Sequence, residues 1–379
     1  MSVLPPATIG MLGGGQLGRM TALAASRLGY HTYVYEPELH GPASQVCEKE
    51  WNASFLDEEA LKAFASSVDV ISLEFENIPA RTLQILEQYR PVHPHWSVLQ
   101  TCQSREKEKT FLRSGGYPHA PFQVVTSAEE LKQAVARLGI PCVLKSSEFG
   151  YDGKGQVKIT SEQDLEKVWS SFGLPRGVVE AWVSFKAELS VICARRVNGE
   201  MTTFPVAENI HTNHILDFSI VPASFDQSIL KKAEELARSI TEKLGVVGLL
   251  AVEMFLTNDN QILVNELAPR SHNSGHYTQD ACVTSQFEQH VRAICDLPLS
   301  STELLRPVVM VNLLGDVWPV AGQPDWQKVL NYPQAKLHLY GKAMARPGRK
   351  MGHICVFGDS ASHAFQQAKE IKNLLKNAH

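Results

Sequence analysis

The sequence predicts an α/β protein with a parallel sheet at its N-terminal end and a small β-rich unit at its C-terminal end. Residues 7–12 form a short apolar stretch, a glycine-rich turn and a helix follow, and residues 31–35 form a second strand, which together predict a βαβ unit. From Arg306 onwards, short strands are predicted over 308–314, 335–340 and 353–357. Capped helices alternate with strands between these ends, so the predicted class is α/β (α+β overall).

Composition excludes several classes of protein. The chain has 379 residues, of which 44% are hydrophobic and 20% are charged, enough for two or three domains with real cores. The net charge of −4 argues against wholesale binding to nucleic acid or to an anionic membrane. Seven scattered cysteines without a C-x-x-C pair are typical of a reducing cytosol. With no secretory signal and no run long enough to span a membrane, a cytoplasmic protein is expected.

The turn Gly13-Gly-Gly-Gln-Leu-Gly18 follows the first strand and opens the first helix. With Glu36 at the end of the second strand, it matches the dinucleotide-binding fingerprint and, taken alone, predicts an NAD-dependent oxidoreductase. A weaker interpretation is a helix N-terminus that could receive some other anion.

The third predicted strand, residues 68–73, is followed by Glu74-Phe-Glu-Asn77. Ligands bind at the carboxyl edge of open parallel sheets, so Glu76 and Asn77 are candidates to bind a polar substrate. Solvated loop residues are the alternative. Residues 91–96 contain prolines and histidines and are predicted to be a loop between domains.

A glycine-rich segment runs from Lys145 through Gly150, Gly153, Gly155 and Gln156 between two predicted strands. Its backbone N–H groups and lysines could close over the phosphates of a nucleotide, because glycines leave room for close approach. A hairpin with solvated lysines is the alternative. Helices with apparent N-caps at Ser127 and Ser161 flank it.

The next part of the chain alternates strands and polar segments. Strands over 188–195 and 201–206 flank an Asn-Gly turn, and a polar segment with His211 and His214 follows. Because a long helix is not expected there, a histidine metal site is not favoured.

A second hairpin, 249–256 with 262–267, provides the strongest chemical signal. Pairing symmetric about Asp259 and Asn260 places Leu256 opposite Leu263 and Glu253 opposite Glu266. Opposed like charges are unfavourable, and a hard divalent cation such as Mg²⁺ would relieve them. An exposed pair neutralised by Arg270 is the alternative.

Two further segments are rich in groups that bind anions. Residues 268–276 contain Arg270, His272, Asn273 and His276, a set suited to anion binding and charge stabilisation. The glycine-punctuated loop 341–352 contains four cations, among them Lys342, Arg349 and Lys350, and either binds a phosphate or is a solvated basic turn.

Together, these segments resemble the ATP-grasp superfamily and, within it, the 5-(carboxyamino)imidazole ribonucleotide synthases. The motifs are ordered along nearly the whole chain: Gly13-Gly-Gly-Gln-Leu-Gly-Arg-Met20, Glu74-Phe-Glu-Asn77, Gly150-Tyr-Asp-Gly-Lys-Gly-Gln156, Asn265-Glu-Leu-Ala-Pro-Arg270, His272-Asn-Ser-Gly-His276 and Arg346-Pro-Gly-Arg-Lys-Met-Gly-His353.

The resemblance implies an ATP-grasp fold in three domains: a Rossmann-like domain over 1–103, the ATP-grasp domain over 104–300 (small lobe about 115–180, large lobe about 181–300) and a C-terminal domain over 301–379. It implies a homodimeric, Mg²⁺-using ligase that carboxylates 5-aminoimidazole ribonucleotide with bicarbonate and ATP in purine biosynthesis. The alternatives are another ATP-grasp ligase, such as a formate-using glycinamide ribonucleotide transformylase or a biotin carboxylase, an NAD-dependent oxidoreductase, and an inactive nucleotide-binding module.

The resemblance also implies roles for individual residues. Those assigned to catalysis are Tyr151, Asp152, Lys154, Arg270, His272 and Asn273. Those assigned to ATP are Arg105, Lys145, Gly150, Tyr151, Asp152, Gly153, Lys154, Gly155, Gln156, Glu180, Ala181, Trp182, Val183, Glu188, His211, Asn265 and Glu266. Those assigned to the ribonucleotide are Gln16, Leu17, Glu76, Asn77, Lys342, Arg349 and Lys350. Glu253 and Glu266 would hold the metal, and no role follows for the side chains of Trp182 and His214.

Overall fold

A computed structural model describes residues 2–148, 155–161, 164–320 and 322–376. Its secondary structure confirms the predicted α/β class, with one parallel sheet and two largely antiparallel ones. No helix in these ranges is both long and apolar enough to cross a lipid bilayer.

The N-terminal unit is a parallel sheet of order β3-β2-β1-β4-β5. Its elements are β1 (Thr8–Leu12), α1 (Gln16–Arg27), β2 (His31–Tyr35), β3 (Lys49–Trp51), α2 (Glu58–Ser66), β4 (Val70–Leu73), α3 (Ala80–Leu86), β5 (Val92–His93) and α4 (Trp96–Gln103). The predicted loop over 91–96 is therefore wrong, since this stretch contains β5 and the start of α4. The two residues of β5 are too few to produce a hydrophobic period.

A second unit is a small antiparallel sheet of order β6-β9-β7-β8 covered by helices. Its elements are α5 (Arg105–Ser114), β6 (Phe122–Val125), α6 (Ala128–Leu138), β7 (Cys142–Ser146), β8 (Gln156–Ile159), α7 (Leu165–Phe172) and β9 (Gly177–Ala181). Ser127 caps α6 as predicted. The cap predicted at Ser161 is wrong: α7 begins later, because the carboxylate of Asp164 accepts the Lys167 N–H at 3.1 Å.

The remaining strands form one large sheet of order β15-β14-β10-β12-β13-β16-β18-β17, with β11 paired to β10. The elements are β10 (Phe185–Arg195), β11 (Met201–Thr203), β12 (Ala207–Thr212), β13 (Ile215–Val221), α8 (Gln227–Leu244), β14 (Gly248–Thr257), β15 (Ile262–Ala268), α9 (Thr278–Ala281), α10 (Gln286–Ile294), β16 (Val308–Leu314), α11 (Gln327–Leu330), β17 (Ala335–Leu339), β18 (Lys350–Phe357) and α12 (Ala361–Lys376). The polar segment around His211 is thus a hairpin, β12–β13, that the sequence analysis missed.

The two faces of β14 have different surroundings. Leu250, Val252 and Met254 lie in the hydrophobic core that includes α8. Because side chains alternate along a strand, Glu253 and Phe255 face the other way, into a large cavity. The core therefore holds the strand that carries the predicted metal ligand.

The β14–β15 pairing places Glu253 opposite Glu266, as predicted. Nearer the turn the predicted register is wrong by one residue, because Leu256 faces Ile262 rather than Leu263. The difference is absorbed at Asn265, which has no partner in β14 and forms a β-bulge next to Glu266.

Candidate active site

A cavity of about 810 Å³ lies where the three units meet. It is bounded by the carboxyl edge of the parallel sheet, by the small antiparallel sheet and by β14 and β15 of the large sheet. Twenty predicted site residues line it: Gln16, Leu17, Glu76, Asn77, Arg105, Lys145, Gln156, Glu180, Ala181, Trp182, Val183, Glu188, His211, Glu253, Asn265, Glu266, Arg270, His272, Asn273 and Lys350.

The other predicted residues fall into two groups. Gly155, Lys342 and Arg349 are described but are not part of the cavity lining. Gly150, Tyr151, Asp152, Gly153 and Lys154 lie outside the described residues, so the roles predicted for them stay predictions.

The opposed carboxylates Glu253 and Glu266 form the acidic part of the cavity. Burial, followed by the negative charge of Glu266, raises the pKa of Glu253 to about 7. The His272 imidazole is adjacent, with its Nε2 3.4 Å from Glu253 Oε1. Burial and the charge of Arg270 hold the pKa of His272 well below its usual value, so this imidazole is neutral. Two opposed carboxylates offer the oxygen ligands that Mg²⁺ prefers, so this pair fits the ion.

The raised pKa of Glu253 has a testable consequence for stability. A carboxyl group whose pKa is higher in the folded state stabilises the fold below its unfolded pKa of about 4.5, and this stabilisation is lost as the pH rises through about 7. In EDTA, we therefore expect the Tm of wild type to fall relative to that of Glu253→Gln between about pH 5 and about pH 8. Thermal unfolding of both proteins across this range measures the difference. A constant difference would contradict the raised pKa.

A cluster of cations surrounds the carboxylate of Glu180 on the opposite wall. Lys145 Nζ lies 3.0 Å from Glu180 Oε2, and the fully buried Lys109 Nζ lies 3.6 Å from the same oxygen. Arg105 holds the backbone of this region through a hydrogen bond from its Nε to Ser146 O at 3.3 Å.

Three cations meet one carboxylate in this cluster, which gives it a surplus of positive charge. Burial opposes ionisation of Glu180, but the charges of Lys109, Lys145 and Arg105 outweigh it and lower its pKa to about 2. The pKa of Lys145 is nevertheless lowered, because burial, the largest effect, together with the like charges of Arg105 and Lys109 outweighs the charge of Glu180. An entering anion would relieve this repulsion, so the wall suits a polyphosphate.

A second ion pair, between Glu188 and His211, lies on the β10–β12 wall. Burial lowers the pKa of His211, but the hydrogen bond to Glu188 and the charges of Glu253 and Glu188 raise it overall. The pair can therefore present both a donor and an acceptor to hydroxyl groups of a ligand.

Aromatic rings close one end of the cavity. Phe185 and Phe255 stack with ring centroids 4.6 Å apart and an interplanar angle of 12°. Lys158 Nζ lies 3.6 Å from the centre of the Trp182 ring, so this side chain makes a cation–π contact within the small sheet. The Ala181 N–H donates to Pro121 O and the Trp182 N–H to Pro141 O, so neither amide is free for a ligand.

Arg270 and Glu76 form a bidentate ion pair between the large sheet and the parallel sheet. Arg270 Nη2 donates to Glu76 Oε1 at 2.8 Å, its Nε donates to the other oxygen, and its Nη1 donates to Ser271 O at 3.0 Å. Within the described ranges these bonds use three of the five guanidinium N–H donors, which leaves two that could donate to an anion. The amide of Asn273, buried nearby, has no hydrogen-bond partner among the described residues.

The fingerprint turn at the start of α1 does not offer its amides to a dinucleotide. The Gly15 and Gly18 N–H groups donate to Glu74 at 2.5 and 2.8 Å, and the Gly14 N–H donates to Glu36 at 2.8 Å. A Cβ on Gly15 would lie 2.3 Å from the Glu74 carboxylate, which explains the glycine. Because the chain's own carboxylates occupy the anion position, this turn does not support an NAD-dependent oxidoreductase.

The basic loop lies at the rim of the cavity. Lys342 Nζ donates to Lys350 O at 2.7 Å, and Arg349 Nη1 donates to Met344 O at 2.8 Å. Burial and the charge of Arg349 lower the pKa of Lys342 to about 8. The Gln45 side chain donates to Gly341 O at 2.8 Å and holds the loop against the N-terminal unit.

Sequence reasoning missed several cavity residues. Phe255 lies two residues after Glu253 on the same strand, so the strand period alone would have placed it in the cavity. Glu74 was recognised only as part of a motif. The others are Phe75, Ala120, Val143, Phe185, Asn213, His214, Leu216 and Ala268.

Three family models match the chain. They are the ribonucleotide synthetase preATP-grasp domain over residues 6–103, the ATP-grasp domain over 110–287 and the phosphoribosylaminoimidazole carboxylase C-terminal domain over 308–367.

Similar proteins cover nearly the whole chain. An N5-carboxyaminoimidazole ribonucleotide synthase of Bacillus subtilis is 49% identical over 93% of this chain and 92% of its own length. A crystal structure of an N5-carboxyaminoimidazole ribonucleotide synthetase with ADP has a TM-score of 0.92 and 46% identity, and covers 98% of this chain and 97% of that one. The Aspergillus clavatus synthase, in complex with ADP and 5-aminoimidazole ribonucleotide, has a TM-score of 0.90 and 32% identity over 98% of this chain and 99% of that one.

Proposed function

The chain belongs to the N5-carboxyaminoimidazole ribonucleotide synthase family, and on this premise we propose that it carboxylates 5-aminoimidazole ribonucleotide with bicarbonate and ATP. It is an ATP-grasp ligase of purine biosynthesis. The observation that carries the proposal is the single cavity in which opposed carboxylates, a polycationic wall and the Arg270–Glu76 pair face one another.

The reaction has two chemical steps. A bicarbonate oxygen attacks the γ-phosphorus of ATP, and the bond to ADP breaks to give carboxyphosphate. The amine nitrogen of the ribonucleotide then attacks the carboxyl carbon, or CO₂ released from it. Phosphate departs, and the amine loses a proton. Phosphoryl transfer depends mainly on positioning and charge neutralisation, which the cationic and acidic walls are suited to supply.

The polyphosphate would lie between Lys145, Arg105 and the two glutamates. Lys145 would lose a like-charge repulsion when the anion enters, which favours binding. Glu253 and Glu266 would hold Mg²⁺, which when bound neutralises charge that develops on the phosphoryl oxygens. The Glu188–His211 pair is suited to the ribose, and the Phe185–Phe255 stack supplies an apolar surface for a heterocycle.

Carboxyphosphate would lie near Arg270, His272 and Asn273. The two remaining N–H donors of Arg270 and the unpartnered side-chain NH₂ of Asn273 can donate hydrogen bonds to its oxygens without breaking existing bonds. Neutral His272 can donate one hydrogen bond without adding a positive charge near the metal. Asp152, oriented by Tyr151, is proposed to take the amine proton, and closure of the Gly150–Gln156 segment with Lys154 would exclude water.

The ribonucleotide would bind beside the N-terminal unit, against Gln16, Leu17, Glu76 and Asn77. Its phosphate would meet the rim loop through Lys342, Arg349 and Lys350. Burial, followed by the charge of Arg349, lowers the pKa of Lys342, and an incoming phosphate would favour its charged form.

Phosphate release tests the function. Purified protein is incubated with ATP, Mg²⁺ and bicarbonate, with and without 5-aminoimidazole ribonucleotide, and inorganic phosphate and acid-labile carbamate are measured. We expect carbamate formation and phosphate release that depends on the ribonucleotide. Release with formate and glycinamide ribonucleotide instead would place the chain in another ATP-grasp activity. In Asp152→Asn, residual ATP cleavage without carbamate would support a role of Asp152 in the second step.

The proposal also covers the oligomeric state, the location in the cell and the domain limits. A homodimer is proposed from the resemblance, and light scattering that gives a mass near 42.0 kDa would contradict it. A cytoplasmic location is proposed because the seven cysteines are free, which is typical of a reducing compartment, and fractionation of the producing cell would test it. The domain limits at 103/104 and 300/301 are retained as a proposal. Limited proteolysis tests them, with cleavage expected near these limits.

A further inference from the structure

Glu108 and Lys109 are adjacent on α5, and both are buried, with 2% and 0% of their surface exposed. Neither lines the large cavity. Charged residues of these types are almost never fully buried unless they are paired, so their partners indicate their role.

The two side chains hold the backbone on either side of Glu266. Lys109 Nζ donates to Asn265 O at 2.8 Å, and the Leu267 N–H donates to Glu108 Oε2 at 2.8 Å. β15 is the edge strand of the large sheet, and Asn265 is its bulged residue. Backbone groups at a bulge on an edge strand have no ladder partner and need another one, which α5 provides.

Lys109 also contacts the cationic wall. Its Nζ lies 3.6 Å from Glu180 Oε2, the oxygen that lies 3.0 Å from Lys145 Nζ. Arg105, one turn earlier on α5, holds β7 through Ser146 O. One buried turn of helix therefore connects the backbone of a carboxylate ligand to the lysine of the opposite wall.

We propose that Glu108 and Lys109 are positioning residues that hold the bulge at Asn265, so that Glu266 faces Glu253 at a fixed distance from Lys145. They act through Glu266 and Lys145 and do not touch a substrate. The inference rests on the proposed function, since it takes the two glutamates to be the Mg²⁺ ligands. Loss of either side chain should therefore weaken metal binding and leave binding of the ribonucleotide unchanged.

The first test compares Lys109→Met with Lys107→Met. Lys107 is an exposed residue of the same helix, so the control makes the same chemical change without touching β15. In the presence of ADP, Mn²⁺ titration followed by electron paramagnetic resonance gives the metal dissociation constant. We expect a 10- to 100-fold weaker constant for Lys109→Met, as is usual when a residue supporting a ligand is lost, and no change for Lys107→Met. The KM for the ribonucleotide should not change.

Glu108 provides a second test if Lys109→Met does not fold. Glu108→Gln keeps an oxygen that can accept the Leu267 N–H, and its metal constant should stay within about threefold of wild type. Glu108→Leu has no acceptor and should weaken metal binding about 10-fold or more. Equal, wild-type-like constants in folded Glu108→Leu and Glu108→Gln would overturn the inference.

A reference variant separates failure of this inference from failure of the proposed function. Wild type should bind Mn²⁺ with ADP, and Glu266→Gln should not. If wild type itself binds no Mn²⁺, the metal site of the proposed function is wrong. If these two proteins behave as expected while Glu108→Leu and Lys109→Met bind metal normally, only the positioning role is wrong.

Discussion

Replacing Glu266 with glutamine is expected to lower ATP turnover by about 100- to 1,000-fold, the usual effect of removing one group that stabilises transition-state charge. Glu266 faces Glu253 in the β14–β15 ladder, and both line the cavity. Glutamine has nearly the same shape, so the hairpin and the hydrogen bonds to Glu108 and Lys109 should persist. The loss would therefore report the missing charge rather than a misplaced strand.

The same change should not destabilise the metal-free protein. The charge of Glu266 raises the pKa of Glu253, which means that the two carboxylates repel each other when both are ionised. Removing one charge relieves this repulsion, so the Tm of Glu266→Gln in EDTA at about pH 8 should equal or exceed that of wild type. Equal turnover in the two proteins, or a turnover loss that follows a lower Tm, would contradict the assignment.

A matched control is Glu235→Gln on the outer face of α8. Its side chain is 63% exposed and lies on a helix whose opposite face packs on the core. It should retain wild-type turnover and Tm. Phosphate release at saturating ATP, measured across Mg²⁺ concentrations for all three proteins, separates weaker metal binding from slower chemistry.

The hairpin indicates how far sequence reasoning extends. The pairing of Glu253 with Glu266 was predicted, although the pairing of Leu256 with Leu263 was wrong. The bulge at Asn265 shifts the register by one residue, so that Glu253 faces Glu266 although Leu256 faces Ile262. A bulge of this kind needs no glycine, so no residue type marks it in the sequence.

Other features were missed because polar or charged side chains occupy positions where the sequence rules expect apolar ones, or because the contact joins distant segments. Strands β12 and β13 carry Asn209, His211 and Asp217, whose polar side chains break the apolar alternation by which a strand is recognised. Glu108 and Lys109 look like a solvated pair on a helix surface, and only the docking of α5 against β15 buries them. The Glu74 carboxylate accepts hydrogen bonds from the fingerprint turn although it follows a different strand, β4. A motif of neighbouring residues does not predict such a long-range contact.

Replacing Arg270 with methionine is expected to reduce both turnover and stability. Turnover should fall by about 100- to 1,000-fold, because the guanidinium is the group proposed to donate to carboxyphosphate. Stability should fall by about 3 kcal/mol, because Glu76 would be left as a mostly buried charge without its partner.

The stability loss should depend on pH in a defined direction. Burial alone would raise the pKa of Glu76, but the charge and hydrogen bonds of Arg270 bring it below 4.5. In wild type, the pair therefore stabilises the fold above about pH 4.5, and this contribution is lost as the pH falls through the folded pKa. Without Arg270 the pKa of Glu76 rises, so the Tm deficit of Arg270→Met should shrink between about pH 8 and about pH 5. Thermal unfolding at both pH values measures it.

The double variant Glu76→Gln/Arg270→Met separates the structural role of Arg270 from its chemical role. Removing both charges eliminates the unpaired carboxylate, so most of the lost stability should return. Turnover should not return, because the donors that face the cavity are still missing. If the double variant recovers turnover together with Tm, Arg270 acts only as a partner for Glu76. The charge of carboxyphosphate would then be met by other groups, such as the side-chain amide of Asn273, which has no hydrogen-bond partner among the described residues.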